Sequence, residues 1–153
     1  WIELNGRISQ TQAINWLDQI VKLLEQLHGQ GFFHRDIKPS NIILTPENKL
    51  VLIDFGAVRD TTNTYLAKIS RDVNCIAGSS KFYDVTVIRT AGYTPVEQIN
   101  GKAVPQSDFF ALGRTFVRLL TGISVLNLPQ NSKTGQLEWR NKAPQIDRSL
   151  ANL

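Results

Sequence analysis

The chain has 153 residues, enough for one domain with its own core, and its 42% hydrophobic and 20% charged content excludes a disordered segment. The net charge of +4 comes from scattered Lys and Arg, without the dense basic run of a nucleic-acid surface, and no apolar stretch approaches the ~20 residues of a membrane-spanning helix. Cys75 is the single cysteine, which rules out an intrachain disulfide or a cysteine-based zinc site, and the absence of Met from a chain opening at Trp1 points to a piece of something longer.

The periodicity predicts an amphipathic helix from Ser9 to His28. Its buried stripe would comprise Ala13, Leu17, Ile20, Val21, Leu24, Leu27 and His28. Ser9 followed by Gln12 has the form of a capping box, and Gly29 and Gly31 supply the stop. An apolar pair, Phe32 and Phe33, then leads into a polar cluster from His34 to Asn41. Ile42 to Leu44 and Leu50 to Ile53 read as two short strands around a turn of Thr45, Pro46, Glu47 and Asn48. Residues 56–90 lack periodicity and form a long loop, which inside a compact domain marks function or mobility. Leu112 to Leu120, with Phe109, Phe110 and Phe116 nearby, reads as an apolar helix buried on most sides and stopped by Gly122. Beyond Leu128 the sequence turns polar, and loop with a short helix is expected.

The sharpest feature is His34-Arg35-Asp36-Ile37-Lys38-Pro39-Ser40-Asn41. Alone, such a cluster is explained by turn-forming polar residues. A second motif, Asp54-Phe55-Gly56, closes the apolar run that follows. Asn41 and Asp54 therefore flank a two-stranded unit, where both can face one hard cation such as Mg²⁺ with oxygen ligands.

Together these residues resemble the catalytic loop and the metal-binding motif of protein kinases. Thr90-Ala91-Gly92-Tyr93-Thr94-Pro95-Val96-Glu97-Gln98 resembles the end of a kinase activation segment. Ser107-Asp108-Phe109-Phe110-Ala111-Leu112-Gly113 resembles the start of the large buried helix after it. Lys38 within Asp-Ile-Lys-Pro-Ser-Asn is similar to serine/threonine kinases, and the Tyr-Thr-Pro-x-Glu-Gln phrasing to bacterial, particularly cyanobacterial, members.

The resemblance implies a mainly α fold with short β hairpins, the C-terminal lobe of a protein kinase truncated at both ends and lacking its N-terminal lobe. Its parts would be a catalytic loop at 34–41, a metal motif at 54–56, an activation segment at 54–97 and a buried helix over about 107–121. It implies ATP and Mg²⁺ as cofactors. Asp36 would receive or orient the acceptor hydroxyl, Lys38 would neutralise charge on the transferred phosphoryl group, and Asn41 and Asp54 would hold Mg²⁺. Thr90 would touch Asp36 and Lys38. His34 and Phe55 would pack in the family's hydrophobic spine, beside Gly56. Asp108 would hydrogen-bond catalytic-loop amides, the plainer alternative for it or Ser107 being a helix N-cap. Arg35 beside Asp36 suggests control by a phosphate in the activation segment, with Thr86 the first candidate, ahead of Thr61, Thr62, Thr64, Ser70, Ser79 and Ser80.

The pattern also departs from the family. Pro95-Val96-Glu97 stands where Ala-Pro-Glu is usual, Arg89 replaces a common glycine, and the segment from Asp54 to Glu97 is unusually long. Neither a glycine-rich phosphate loop nor the arginine that partners Glu97 is in the sequence. The expected function is phosphorylation of Ser or Thr in protein substrates by a larger cytoplasmic kinase. No nucleic-acid or membrane contact is expected from this segment, although the parent could be membrane-tethered elsewhere. The segment alone is expected to be inactive. A pseudokinase or remnant acting as an interaction module is the alternative, followed by a small-molecule phosphotransferase.

Overall fold

The computed structural model describes residues 2–54, 59–60 and 90–152. Phe55, Gly56, Thr86 and the other candidate phosphosites lie outside the described residues.

A short helix, α1 (Ile2–Asn5), precedes the long helix α2 (Gln10–Gly29). Ser9 caps α2: its hydroxyl accepts the Gln12 amide at 3.2 Å, while the Gln12 side chain accepts the Ser9 amide at 2.9 Å. This reciprocal pair satisfies two amides that the first turn leaves without helical partners. The buried stripe is Ala13, Trp16, Ile20 and Leu24. It is rotated from the expected one, because Trp16 takes the central position and Val21 faces outward, 37% exposed. A large flat ring buries more apolar area than a valine, so the helix turns its tryptophan inward.

After Gly31, whose φ is +80°, the chain forms β1 (Phe32–Phe33), which pairs antiparallel with β4 (Arg59–Asp60). That pairing brings a strand into a stretch expected to be entirely loop. Between them, β2 (Ile42–Leu44) and β3 (Leu50–Leu52) form an antiparallel hairpin with Ile42 opposite Leu52 and Leu44 opposite Leu50. Its turn is closed by the Thr45 amide to the Lys49 carbonyl at 2.8 Å, with Asn48 at φ +59°. Asparagine tolerates this left-handed conformation better than most residues. Leu50 and Leu52 point inward and Val51 outward, so the alternation sets one face against α2. The Leu50 amide donates to the Gln19 side chain at 2.8 Å and fixes the hairpin to that helix.

A second short helix, α3 (Val96–Ile99), precedes α4 (Pro105–Thr121). Pro105 suits the first helical position, where no amide partner is needed, and Gly122 ends the helix at φ +69°. Ala111, Leu112, Phe116, Leu119 and Leu120 pack with the α2 stripe, Ile8 and Ile37 in one core. Burial of α4 is one-sided, however: Phe109 and Phe110 are 44% and 41% exposed. Phe109 meets the edge of the His28 ring at 5.7 Å, and Arg114 lies 4.7 Å above the Phe110 ring. Past Leu128, residues 140–142 and 150–152 form single 3₁₀ turns, and Trp139, Ile146 and Leu150 rest against the core. No helix among the described residues is long and apolar enough to cross a membrane.

Candidate active site

The polar cluster His34–Asn41 enters from β1 and leaves into β2, so both its ends are held by strands. Ile37 inside it is fully buried in the core. A loop pinned from below by an aliphatic side chain can carry polar groups above it with little freedom. His34, Arg35, Asp36 and Asn41 are all buried.

Asp36 is the centre. Its Oδ2 accepts from Lys38 Nζ at 2.6 Å and from Asn41 Nδ2 at 3.0 Å, and its Oδ1 accepts from the Thr90 hydroxyl at 2.6 Å. Lys38 Nζ also reaches Thr90 Oγ1 at 3.3 Å, and Asn41 Nδ2 donates again to the Asp36 carbonyl at 2.9 Å. Burial pulls the Asp36 carboxyl up, but the bonds from Lys38, Thr90 and Asn41 outweigh it and leave it below its ordinary value of 3.8. The group is therefore an anion at neutral pH.

Thr90 arrives from a separate segment. A turn closed by the Tyr93 and Thr94 amides on the Thr90 carbonyl holds it, and the Thr90 amide donates to Thr94 Oγ1 at 2.8 Å. Residues 54 positions apart in sequence thus meet at one carboxylate.

Beneath this group lies Asp108, fully buried in the first turn of α4. Its Oδ2 accepts the His34 amide at 2.9 Å and its Oδ1 the Arg35 amide at 2.7 Å. His28 Nε2 joins the same carboxylate at 2.8 Å. The helix cap is elsewhere: Val104 occupies the N-cap position, and Ser107 Oγ accepts the Val104 amide at 3.1 Å. Ser107 also donates to Glu97 at 2.9 Å, linking α3 to α4.

Arg35 has φ +69°, a left-handed conformation that costs a non-glycine residue roughly 1–2 kcal/mol. Its amide is held by Asp108 and its carbonyl by Gln98 Nε2 at 2.6 Å. His34 is wholly buried; desolvation pushes its imidazole below the ordinary 6.5, against the attraction of Asp108, a backbone hydrogen bond at Ile53 and the charges of Asp36 and Asp54. Its imidazole is therefore neutral near pH 7.

Asp54 follows β3, is exposed, and has φ +65°. The Ile53 amide donates to the Asn41 carbonyl at 2.9 Å, which ties the chain just before Asp54 to the end of the polar loop. The Asn41 amide nitrogen is engaged by Asp36, so its acceptor oxygen is the end it can offer to a ligand. An amide oxygen and a carboxylate fit Mg²⁺, which takes few protein ligands and completes its shell with water and phosphate oxygens. No cluster of three His, Cys, Asp or Glu that could hold a metal occurs among the described residues.

Asp36, Lys38, Asn41, Thr90 and Asp108 are therefore brought together, directly or through the loop backbone. The sequence does not show the contacts of Gln98, Ser107 and His28. Gln98 sits in a helix of four residues, too short for periodicity to reveal that its side chain is buried. His28 falls on the apolar stripe by spacing, and only the position of Asp108 reveals its partner.

The family model described as "Protein kinase domain" matches residues 1–151. Serine/threonine-protein kinase C of Synechocystis sp. is 37% identical over 149 residues, covering 97% of this chain and 26% of the relative. Serine/threonine-protein kinase D of the same organism is 37% identical over 147 residues, covering 95% of this chain and 27% of that protein. Serine/threonine-protein kinase PknA of Nostoc sp. is 36% identical over 151 residues, covering 98% and 25%. The chain thus spans about a quarter of the length of these relatives, all from cyanobacteria. With a kinase model running along nearly its whole length, this chain belongs to the protein kinase family.

Proposed function

We propose that this chain forms the C-terminal-lobe portion of a kinase that transfers the γ-phosphoryl group of ATP to Ser or Thr hydroxyls of proteins. The observation that carries the reading is the Asp36 carboxylate held at 2.6 Å by both Lys38 and Thr90.

The chemistry follows from those groups. The acceptor hydroxyl donates its hydrogen bond to Asp36, which turns an oxygen lone pair toward the γ-phosphorus. A bond forms from that oxygen to phosphorus as the bond from phosphorus to the bridging oxygen of ADP breaks, and the hydroxyl proton passes to Asp36. Lys38 offsets negative charge on the transferred group, where a fixed cation in a partly buried site acts more strongly than in water. Thr90 fixes the distance between the carboxylate and the ammonium. Asn41 and Asp54 would hold Mg²⁺, which when bound supplies charge neutralisation at the phosphate oxygens. That the relatives are named serine/threonine-protein kinases supports a protein acceptor.

The test is phosphate transfer by the full-length protein with Mg-ATP and a generic acceptor protein, comparing wild type with Asp36→Ala. Label on Ser or Thr that falls at least 10²-fold in the variant supports the reading. Transfer that survives Asp36→Ala overturns the role given to that carboxylate, and a wild type that transfers nothing overturns the kinase reading and leaves a scaffolding role.

A further inference from the structure

Two segments distant in sequence grip the same residue of the catalytic loop from opposite sides. Arg35 is in a left-handed conformation, φ +69°, which a side chain larger than glycine keeps only where its surroundings impose it. Two peptide planes meet at its Cα. The plane before it carries the Arg35 amide, which donates to Asp108 Oδ1 at 2.7 Å. The plane after it carries the Arg35 carbonyl and the Asp36 amide. The carbonyl accepts from Gln98 Nε2 at 2.6 Å, while among the described residues the amide makes a long contact to His34 Nδ1 at 3.4 Å. Gln98 therefore makes the shorter contact on the plane that leads directly into Asp36.

Gln98 is also well chosen by place. It is 1% exposed, so water does not compete for the carbonyl. It lies in α3, four residues beyond Thr94, whose hydroxyl accepts the Thr90 amide. The segment 90–99 thus reaches the catalytic loop at two points: Thr90 at the Asp36 carboxylate and Gln98 at the Arg35 carbonyl. Two points fix a direction where one fixes only a distance. Glu97, the neighbour of Gln98, is tied to Ser107 of α4 at 2.9 Å, so α3 cannot slide along the loop without breaking that bond too.

We propose that Gln98 is a positioning residue: its side-chain amide locks the Arg35–Asp36 peptide plane, and so aims the Asp36 carboxylate at the acceptor hydroxyl while setting the register of the Thr90 segment on the catalytic loop. The inference rests on the kinase reading above for its catalytic half. Its structural half, the locking of one peptide plane, stands apart from it. Gln98 touches no reacting atom. It acts through Arg35, and its loss slows the chemical step and leaves nucleotide binding alone.

The experiment uses the full-length protein with Gln98→Met, which keeps length and removes the donor, and Gln98→Asn, which keeps the amide and shortens its reach. Two readouts are taken: steady-state phosphate transfer, split into kcat and KM for ATP, and amide hydrogen exchange resolved at residues 34–36 and along α2. Both variants are expected to lose at least tenfold in kcat with KM for ATP within twofold. Exchange at residues 34–36 should quicken at least tenfold while α2 stays protected as in wild type. If Gln98→Met does not fold, as loss of α2 protection would show, Gln98→Asn carries the same two readouts. Faster exchange with unchanged kcat overturns the catalytic half, and unchanged exchange overturns the lock itself. If the wild type transfers no phosphate, the kinase reading falls on that result, and the exchange at residues 34–36 still decides whether Gln98 holds the plane.

Discussion

The two ends of α4 are buried for opposite reasons. Its first turns bury Ser107 and Asp108, which hold α3 and the polar loop through individual hydrogen bonds at 2.7–2.9 Å. Its last turns bury Leu119 and Leu120, which share a core with Ile8, Ile20 and Leu24. At the polar end each oxygen has a named partner, and removing it leaves buried donors without an acceptor. At the apolar end the energy is spread over many contacts of about 0.1–0.2 kcal/mol each. The comparison separates two jobs on one helix: the apolar end decides whether the helix is held, and the polar end decides what shape the loop beside it takes.

Asp108→Ala should break that division most severely. It strips the acceptor from the His34 and Arg35 amides and from His28 together. A loss of about 3–5 kcal/mol is expected in denaturant unfolding of the full-length protein, with phosphate transfer lost in parallel. Equal stability with full transfer would show that the loop holds its own shape. Leu120→Ala sharpens the contrast from the other end: about 3 kcal/mol of stability is lost, while transfer per folded molecule stays within twofold of wild type. Should it cut turnover as deeply as stability, the two ends are not separable.

The smallest effect is a pH dependence carried by His34. Its folded form resists a proton that the unfolded chain accepts as pH falls below 6.5. The unfolded state then binds more protons, so stability declines as pH drops from that value toward the lower folded one, and above it this group contributes no pH dependence. Asp36 acts in a different window, since its depressed carboxyl supports folding above 3.8 and loses that support only below it. Unfolding midpoints measured between pH 7.5 and 5.5 should fall in wild type and fall less in His34→Leu. Parallel slopes in the two proteins would assign the decline to other groups.

Legibility in the sequence follows the same division. The cap at Ser9 and Gln12, the hairpin from Ile42 to Leu52 and the stop at Gly122 were readable because each depends on residues a few positions apart. The stripe of α2 is not legible at Trp16 and Val21, because both fit a helical period and only the opposing surface decides which turns inward. Phe109 and Phe110 looked like core by composition, yet the commitment of Ser107 and Asp108 to the loops turns them outward on the same helix. Asp36, Lys38, Asn41 and Thr90 were readable through motif resemblance. Gln98 was not, since its partner is a backbone carbonyl, which leaves no trace in side-chain identity at position 35.

On the proposed reading, the crowding around Asp36 limits where an acceptor can dock. An ionised carboxylate has about four lone pairs, two on each oxygen. Lys38 and Asn41 occupy those of Oδ2, and Thr90 takes one on Oδ1. Among the described residues this leaves a single vacant lone pair, on the oxygen that Thr90 shares. On the proposed reading, an incoming serine or threonine hydroxyl must lie alongside the Thr90 hydroxyl, two alcohols on one oxygen. Selectivity for the acceptor would then begin with what can stand beside the Thr90 hydroxyl.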